Sequence, residues 1–179
     1  MSTGASKPLP MIADREIETR AKDVLRAHGL YRVPIDPVVL AHKLGISLRN
    51  AKFSDESLVG MIAQRSGSSM ILVNQSDSPN RKRFTIAHEL GHHFLHLQGE
   101  DGEFVDGEAD LFRETPGTVE TTDKAMMEVQ ANKFAASLLM PSELVRQEWD
   151  KLRSVERIAR HFNVSEEAMG YRLNRLGLL

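Results

Sequence analysis

Residues 78–97 read SPNRKRFTIAHELGHHFLHL and contain the most informative motif of the chain. Ser78 can cap a helix and Pro79 suits its first turn, so the pattern predicts a helix over this whole stretch. His88 and His92 are one helical turn apart on the same face, where their imidazole nitrogens can converge on one metal ion. The sequence therefore predicts a helix that carries two metal ligands.

Glu89 lies between the two histidines, about 100° round the helix from His88. From there its carboxylate cannot easily bind the same ion, but it can reach a water molecule on that ion, as in hydrolytic zinc sites. Zinc lowers the pKa of such a water towards about 7, and the carboxylate accepts its proton as a general base. We therefore predict that His88 and His92 bind zinc and that Glu89 is the catalytic residue.

A catalytic zinc site needs a third protein ligand, and Glu128 is the best candidate. The periodicity of residues 124–140 predicts a helix whose apolar face includes Glu128, where an unpaired carboxylate is costly. Zinc would satisfy this charge, and a buried salt bridge to Arg83 is the alternative. His96 is a weaker candidate, because histidines at His88, His92 and His96 extend over about 12 Å of helix. We expect His96 to pack or hydrogen-bond beside the site.

Other residues near the motif are harder to assign. The metzincin continuation is absent, because that class has Gly and His where this chain has Leu95 and Gln98. His93 faces elsewhere and has no predicted role. The basic residues at the start of the helix could touch substrate, although a solvated face is the simpler interpretation; they are Arg81, Lys82 and Arg83. Four residues are possible oxyanion-stabilising groups, and the sequence does not choose among them: Tyr31, His42, His161 and Tyr171.

Composition restricts the class of protein. The chain has 179 residues, 41% of them hydrophobic, which suits a single domain with one core. It has no cysteine, so histidine and carboxylate are the strong zinc ligands it can offer. A net charge of -2 gives no overall attraction to nucleic acid or anionic membranes. No segment has the length of a membrane span or a secretory signal, so we expect a cytoplasmic protein.

The predicted organisation has three parts. Residues 1–12 form a disordered arm, residues 13–150 form the metal-binding core, and residues 151–179 form a helical subdomain packed on that core. Residues 99–123 are acidic and irregular, and they are predicted to be a long loop. The part of this loop from Glu100 to Asp110 could also hold a metal or cover the site as a flap, but charged loops are usually only solvated.

The β-rich part of the chain lies before the motif helix. Ile46–Phe53, Leu58–Gln64 and Ser69–Asn74 are predicted to form a three-stranded antiparallel sheet, with a turn at residues 65–68. Helices at Asp14–His28 and after Asp36 precede these strands, so the predicted fold class is α+β.

Two segments together resemble the ImmA/IrrE family of bacterial and phage metallopeptidases. They are residues 83–92, RFTIAHELGH, and residues 128–141, EVQANKFAASLLMP. The resemblance extends over most of residues 14–179 and implies a zincin-like core with a small antiparallel sheet beside the motif helix. It also implies that His88, His92 and Glu128 are zinc ligands and that Glu89 is the base.

The same resemblance implies a type of substrate. Members of the family usually cleave a helix-turn-helix transcriptional repressor or an antitoxin, which relieves repression in stress responses or mobile-element induction. In such enzymes an edge strand can bind an extended peptide by strand addition, and Ser69–Asn74 is the candidate strand.

Two alternatives remain open at this stage. Residues 151–179 resemble a helix-turn-helix and carry six basic residues against three acidic ones, so DNA binding could accompany catalysis. Alternatively, the chain could be a non-proteolytic zinc-binding toxin or regulatory protein. Glu89 argues against that alternative, because a structural zinc site needs no base beside two ligands.

Overall fold

The structure is a computed structural model and describes residues 12–107 and 123–179. The predicted disordered arm therefore lies outside the described residues, except for Ile12, which packs against the core. The described elements follow one another in this order: α1 (Asp14–Ala27), α2 (Pro37–Lys43), β1 (Ser47–Ala51), β2 (Leu58–Arg65), β3 (Ser68–Asn74), α3 (Pro79–His92), β4 (Gly102–Gly107), α4 (Asp123–Leu139), α5 (Ser142–Leu152), α6 (Val155–Phe162) and α7 (Glu166–Arg175).

The sheet differs from the predicted three-stranded antiparallel one. It has four strands in the order β1-β3-β2-β4. β2 and β3 form the predicted hairpin, but β1 pairs parallel to β3, so the chain crosses over between β1 and β2. The fourth strand, β4, pairs antiparallel to β2 and comes from the acidic segment that was predicted to be a loop. The sheet is therefore mixed, and β3 is one of its two inner strands.

Local side-chain chemistry explains where several helices begin. Asp36 accepts a hydrogen bond from the amide of Val38 at 2.9 Å, and Pro37 follows as the first residue of α2. Ser78 does the same for the amide of Arg81 at the start of α3. α3 does not continue as a regular α-helix to Leu97, because residues 93–97 form a π-helical turn.

The apolar core lies between the sheet and the helices, and it is continuous from end to end. α1 contributes Ile17 and Leu25, and the C-terminal helices contribute Phe162 and Leu173, all without solvent exposure. Arg172 of α7 is buried among them, because it donates to the carbonyl of Met140 and to the carboxylate of Glu18. In residues 12–107 and 123–179, no helix is both long and apolar enough to cross a membrane.

α3 and α4 lie in close contact at Gly91. A Cβ at this position would lie 2.9 Å from the Cα of Ala131 and 3.0 Å from its carbonyl oxygen. These are backbone atoms of a buried helix and cannot move aside cheaply. The absence of a side chain at Gly91 therefore sets the separation of the two helices.

We expect Gly91→Ala to destabilise the protein, because its Cβ would force α3 and α4 apart. Overpacking of this kind costs about 1–3 kcal/mol. Gly170→Ala in α7 is the matched control, since a Cβ there meets nothing within 4 Å. The control should gain up to about 1 kcal/mol, because alanine favours a helix over glycine. Urea unfolding of both variants measures this, and equal midpoints for Gly91→Ala and wild type would refute the packing argument.

Candidate metal centre

Four side-chain donor atoms converge between α3, α4 and β4. Nε2 of His88 lies 3.0 Å from Nε2 of His92, and Oε2 of Glu128 lies 3.2 Å and 3.4 Å from these two nitrogens. Oδ2 of Asp106 completes the group, at 3.4 Å from His88 and 3.5 Å from His92. The structure thus brings together the three residues predicted as ligands and adds a carboxylate that was not predicted.

The spacing of these donors fits a small divalent ion. Tetrahedral ligands with bonds of about 2.0–2.2 Å to nitrogen or oxygen lie about 3.3–3.6 Å apart. Five of the six separations among the donors range from 3.0 to 3.5 Å, and all four atoms lie within 4.8 Å of one another. All four side chains are fully buried, and neither oxygen of Asp106 nor Oε1 of Glu128 accepts a hydrogen bond within the described part of the chain. Buried carboxylates without partners are costly, so the group fits a bound cation.

Asn132 of α4 orients His88. Its Oδ1 lies 2.8 Å from Nδ1 of His88, and an amide oxygen only accepts, so Nδ1 carries the proton. Nε2 of His88 therefore keeps a lone pair that points to the centre of the group. Because Glu128 and Asn132 are one turn apart on α4, the same helix supplies a carboxylate to the centre and holds the histidine opposite it.

A longer chain of hydrogen bonds orients His92. Oε1 of Gln130 lies 3.0 Å from Nε2 of His96, and Nδ1 of His96 lies 2.9 Å from Nδ1 of His92. Since the Gln130 oxygen accepts from Nε2 of His96, Nδ1 of His96 is left to accept from Nδ1 of His92. Nε2 of His92 is then free to bind a cation. His96 lies beside the site, where sequence reasoning expected it, and does not belong to the group of donors.

The electrostatics of the site reflect its burial. Burial lowers the pKa of His88, but its close contacts with the carboxylates of Asp106 and Glu128 outweigh burial and raise that pKa to about 9. Burial and the neighbouring His88 charge push the pKa of His92 well below its ordinary value. Without a cation, therefore, a proton on His88 supplies the positive charge that the two carboxylates require.

Glu89 lies beside the four donors and is also fully buried. Burial, together with the charge of Asp106, raises the pKa of Glu89 well above its ordinary value. Its side chain fits because Gly60 of β2 faces it: a Cβ at Gly60 would overlap both Oε1 of Glu89 and Cγ2 of Thr85. Gly60 thus makes room for a carboxyl group that accepts a proton readily.

Sequence reasoning missed Asp106 because it lies in the acidic segment predicted to be a loop. The residues that the prediction named for a flap, Glu100–Asp110, include β4, and those from 108 onwards lie outside the described residues. One signal was present in the sequence. Phe104 and Asp106 alternate with polar or exposed neighbours, as on a strand with one buried face.

Several other candidates have contacts away from the centre. Arg83 donates to the carbonyls of Ile35 and Asn163, so the salt bridge considered for Glu128 is not formed. Tyr31 donates to Glu143 at 2.9 Å, and His161 lies 3.6 Å from Glu148. His93, His42 and Tyr171 are not among the residues that the structure brings to the centre, and the latter two are exposed.

The basic residues of the C-terminal segment are mostly neutralised. Five of the six form ion pairs with carboxylates of the same chain: Lys151 with Glu148, Arg153 with Asp150, Arg160 with Glu156, Arg172 with Glu18, and Arg175 with Asp14. These pairs leave little unpaired positive charge for phosphate contacts, which disfavours DNA binding through this segment.

We expect Glu128→Gln to lower the affinity for Co²⁺, a spectroscopic probe of such sites, by about 100-fold or more, because it removes a buried anionic ligand. Glu89→Gln is the matched control, since it alters a buried glutamate of the neighbouring helix that is outside the donor group, and its affinity should stay within about threefold of wild type. Titration of metal-free protein, followed by visible absorption, measures both. A Co²⁺ affinity of Glu128→Gln equal to that of wild type would exclude Glu128 as a ligand.

Comparisons with known proteins agree with this geometry. Residues 41–174 match the profile of a peptidase family described as the IrrE N-terminal-like domain. Over 172 residues the chain is 24% identical to metallopeptidase ImmA of Bacillus subtilis (strain 168), covering 94% of this chain and 90% of that protein. Over 108 residues it is 34% identical to the radiation response metalloprotease IrrE of Deinococcus deserti, covering 58% of this chain and 35% of that protein.

A solved structure of a Mycobacterium tuberculosis transcriptional regulator shares the fold, with a TM-score of 0.59 and 18% identity. The alignment covers 88% of this chain and 46% of that structure, so the chain spans less than half of both the regulator and the Deinococcus protein. The family profile extends over most of the chain and includes all four donor residues. The chain therefore belongs to the ImmA/IrrE family of metallopeptidases.

Proposed function

We propose that the chain is a zinc-dependent endopeptidase that cleaves one specific regulatory protein. In this proposal His88, His92 and Glu128 hold the zinc ion, and Glu89 is the catalytic base. The substrate is a helix-turn-helix transcriptional repressor or an antitoxin, whose cleavage relieves repression. A cytoplasmic location fits such a substrate.

The observation that carries the proposal is the convergence of two Nε2 atoms and one carboxylate oxygen at 3.0–3.4 Å from one another. Two histidines and one glutamate are the ligands of many catalytic zinc sites. When bound, zinc would supply Lewis acidity that makes a water molecule more acidic and polarises the peptide carbonyl.

The protein side chains would handle the proton. Burial and the charges of Asp106 and Glu128 raise the pKa of Glu89 in the metal-free centre, and the positive charge of a bound zinc ion would lower it again. Glu89 would then take a proton from the water molecule and return it to the leaving amine. Asn132 and His96 hold the two imidazoles in the tautomers that expose Nε2. This arrangement orients the reacting groups before substrate binds.

The assignment of a repressor as substrate follows from family resemblance. One relative is named for a radiation response, and the structural neighbour is named as a transcriptional regulator. Those names describe those proteins, and a regulatory substrate is what they suggest for this one.

A second candidate function is supported by the fourth donor. Structural zinc sites are usually closed by four protein ligands, and Asp106 makes this group a set of four. On that basis the chain would be a non-proteolytic zinc-binding toxin or regulatory protein. Glu89 distinguishes the two, because a buried carboxyl group with neither oxygen hydrogen-bonded is costly and a structural site does not require it.

We expect wild-type protein loaded with zinc to cut a helix-turn-helix repressor, sought among the products of neighbouring genes, at few positions. Glu89→Gln should slow the cleavage by about 10²–10⁴-fold, because it removes general-base catalysis. Both proteins should bind zinc equally. Intact-mass analysis of the repressor and metal analysis of the enzyme measure this, with exposed Glu167→Gln as the control. Equal rates for wild type and Glu89→Gln would reject the proposed role of Glu89.

Gly60→Ala should also slow cleavage, although it does not alter a reacting group. Its Cβ would displace the Glu89 carboxylate, so we expect cleavage to fall by about tenfold or more, as misplacement of a catalytic group does. Zinc content should not change, because the atoms nearest that Cβ belong to Glu89 and Thr85, which are outside the donor group. Loss of zinc from Gly60→Ala would show that the substitution disturbs the whole centre.

A further inference from the structure

The candidate centre is sealed from solvent. His88, Glu89, His92, Asp106 and Glu128 all have 0% relative exposure. An endopeptidase must admit both a water molecule and a stretch of extended polypeptide to its metal. Part of the fold that covers the centre must therefore move before this chain can act as the proposed enzyme.

β4 is the element that covers the centre. Its residues alternate, so that Phe104 and Asp106 face inwards while Glu103 and Val105 are exposed. The Phe104 ring stacks on the His92 imidazole at a centroid distance of 4.2 Å and an interplanar angle of 16°. α3 and α4, which also line the centre, carry the main apolar core. β4 is the last strand of the sheet, so it is the element most easily displaced.

Asp106 fills the position that a catalytic site leaves open. Its Oδ2 lies 3.4 Å and 3.5 Å from the two histidine nitrogens, close to the 3.2 Å and 3.4 Å of Glu128 Oε2. A catalytic zinc site has three protein ligands and one position for water or substrate. Here a carboxylate oxygen occupies the fourth corner, next to the Glu89 base.

β4 also occupies the place where an extended peptide could pair. The prediction that β3 binds the peptide is wrong, because β3 lies between β1 and β2 and has no free edge. β2 is bonded to β3 on one side and to β4 on the other, with Ile62 opposite Phe104 and Gly60 opposite Asp106. If β4 left, β2 would become an edge beside the motif helix, able to bind a peptide by strand addition.

We infer that Asp106 is a fourth protein ligand and that β4 is an internal strand held in the substrate's place, so that this structure is a latent form of the peptidase. The inference rests on the proposed function. Opening requires β4 to separate from β2 and Asp106 to leave the metal, after which water can take the fourth position. A substrate that pairs with β2 would displace β4 by competition for the same hydrogen bonds.

The test compares wild type with Asp106→Ala and Asp106→Asn after Co²⁺ substitution, using acetohydroxamate as the probe. This small chelating anion binds a metal that has an open position, and it changes the visible absorption of Co²⁺ when the coordination number rises. Both Asp106 variants should bind it, while wild type should bind it at least about tenfold more weakly. Val105→Thr is the matched control, because it alters an exposed side chain of the same strand at nearly constant size and should behave as wild type.

Two further measurements separate this inference from the proposed function. Zn²⁺ affinity should fall by about tenfold or more in Asp106→Ala through loss of a ligand, and cleavage of the repressor should be faster than in wild type. Acetohydroxamate binding to wild type as tightly as to Asp106→Ala would overturn the inference and leave the proposed zinc site intact. If one Asp106 variant fails to fold, the other supplies the same comparison with wild type. Failure of wild type to bind Zn²⁺ or Co²⁺ would reject both.

Discussion

Three carboxylates and two imidazoles share one pocket of the core, and burying them is costly unless their charges are balanced. Glu89, Asp106 and Glu128 together present five carboxylate oxygens that accept no hydrogen bond from the described residues. Such a group is tolerated only where a cation, or protons in its place, balances the charge. The raised pKa values of His88 and Glu89 favour the protonated side chains, which reduce the net negative charge when no cation is bound. A metal ion and protons therefore compete to balance the same buried negative charge.

The close approach of α3 and α4 makes this pocket possible. Because Gly91 lets the α4 backbone lie against α3, a glutamate from α4 can reach the same point as two histidines from α3. α4 then supplies three polar side chains from little more than one helical turn. Glu128 reaches the centre, Gln130 bonds His96, and Asn132 bonds His88. Each imidazole is thereby held in the orientation that directs Nε2 to the centre, which lowers the cost of forming the site.

The sequence could reveal the ligands of α3 and α4 because helical periodicity is local and identifies the buried face without reference to the rest of the fold. His88, Glu89, His92 and Glu128 were all chosen in this way. Strand partners are not local. The parallel pairing of β1 with β3 requires a crossover, and no short pattern specifies it. Asp106 was missed for a related reason: in an acidic segment, composition indicates a loop, while only the tertiary position of β4 shows that one carboxylate is buried.

The position of β4 connects stability with function. An exposed β2 would be an edge strand, with unpaired backbone groups that can pair with any extended chain. β4 covers this edge; Lys124 donates to the carbonyl of Val105 in β4, and an ion pair joins Glu103 of β4 to Arg65 of β2. The same edge is what a peptide substrate would need. A strand that protects the sheet from unwanted pairing therefore also keeps the centre closed, and only a polypeptide that pairs with β2 better than β4 does can open it. Selectivity for one substrate would then arise from competition between strands as well as from side-chain pockets.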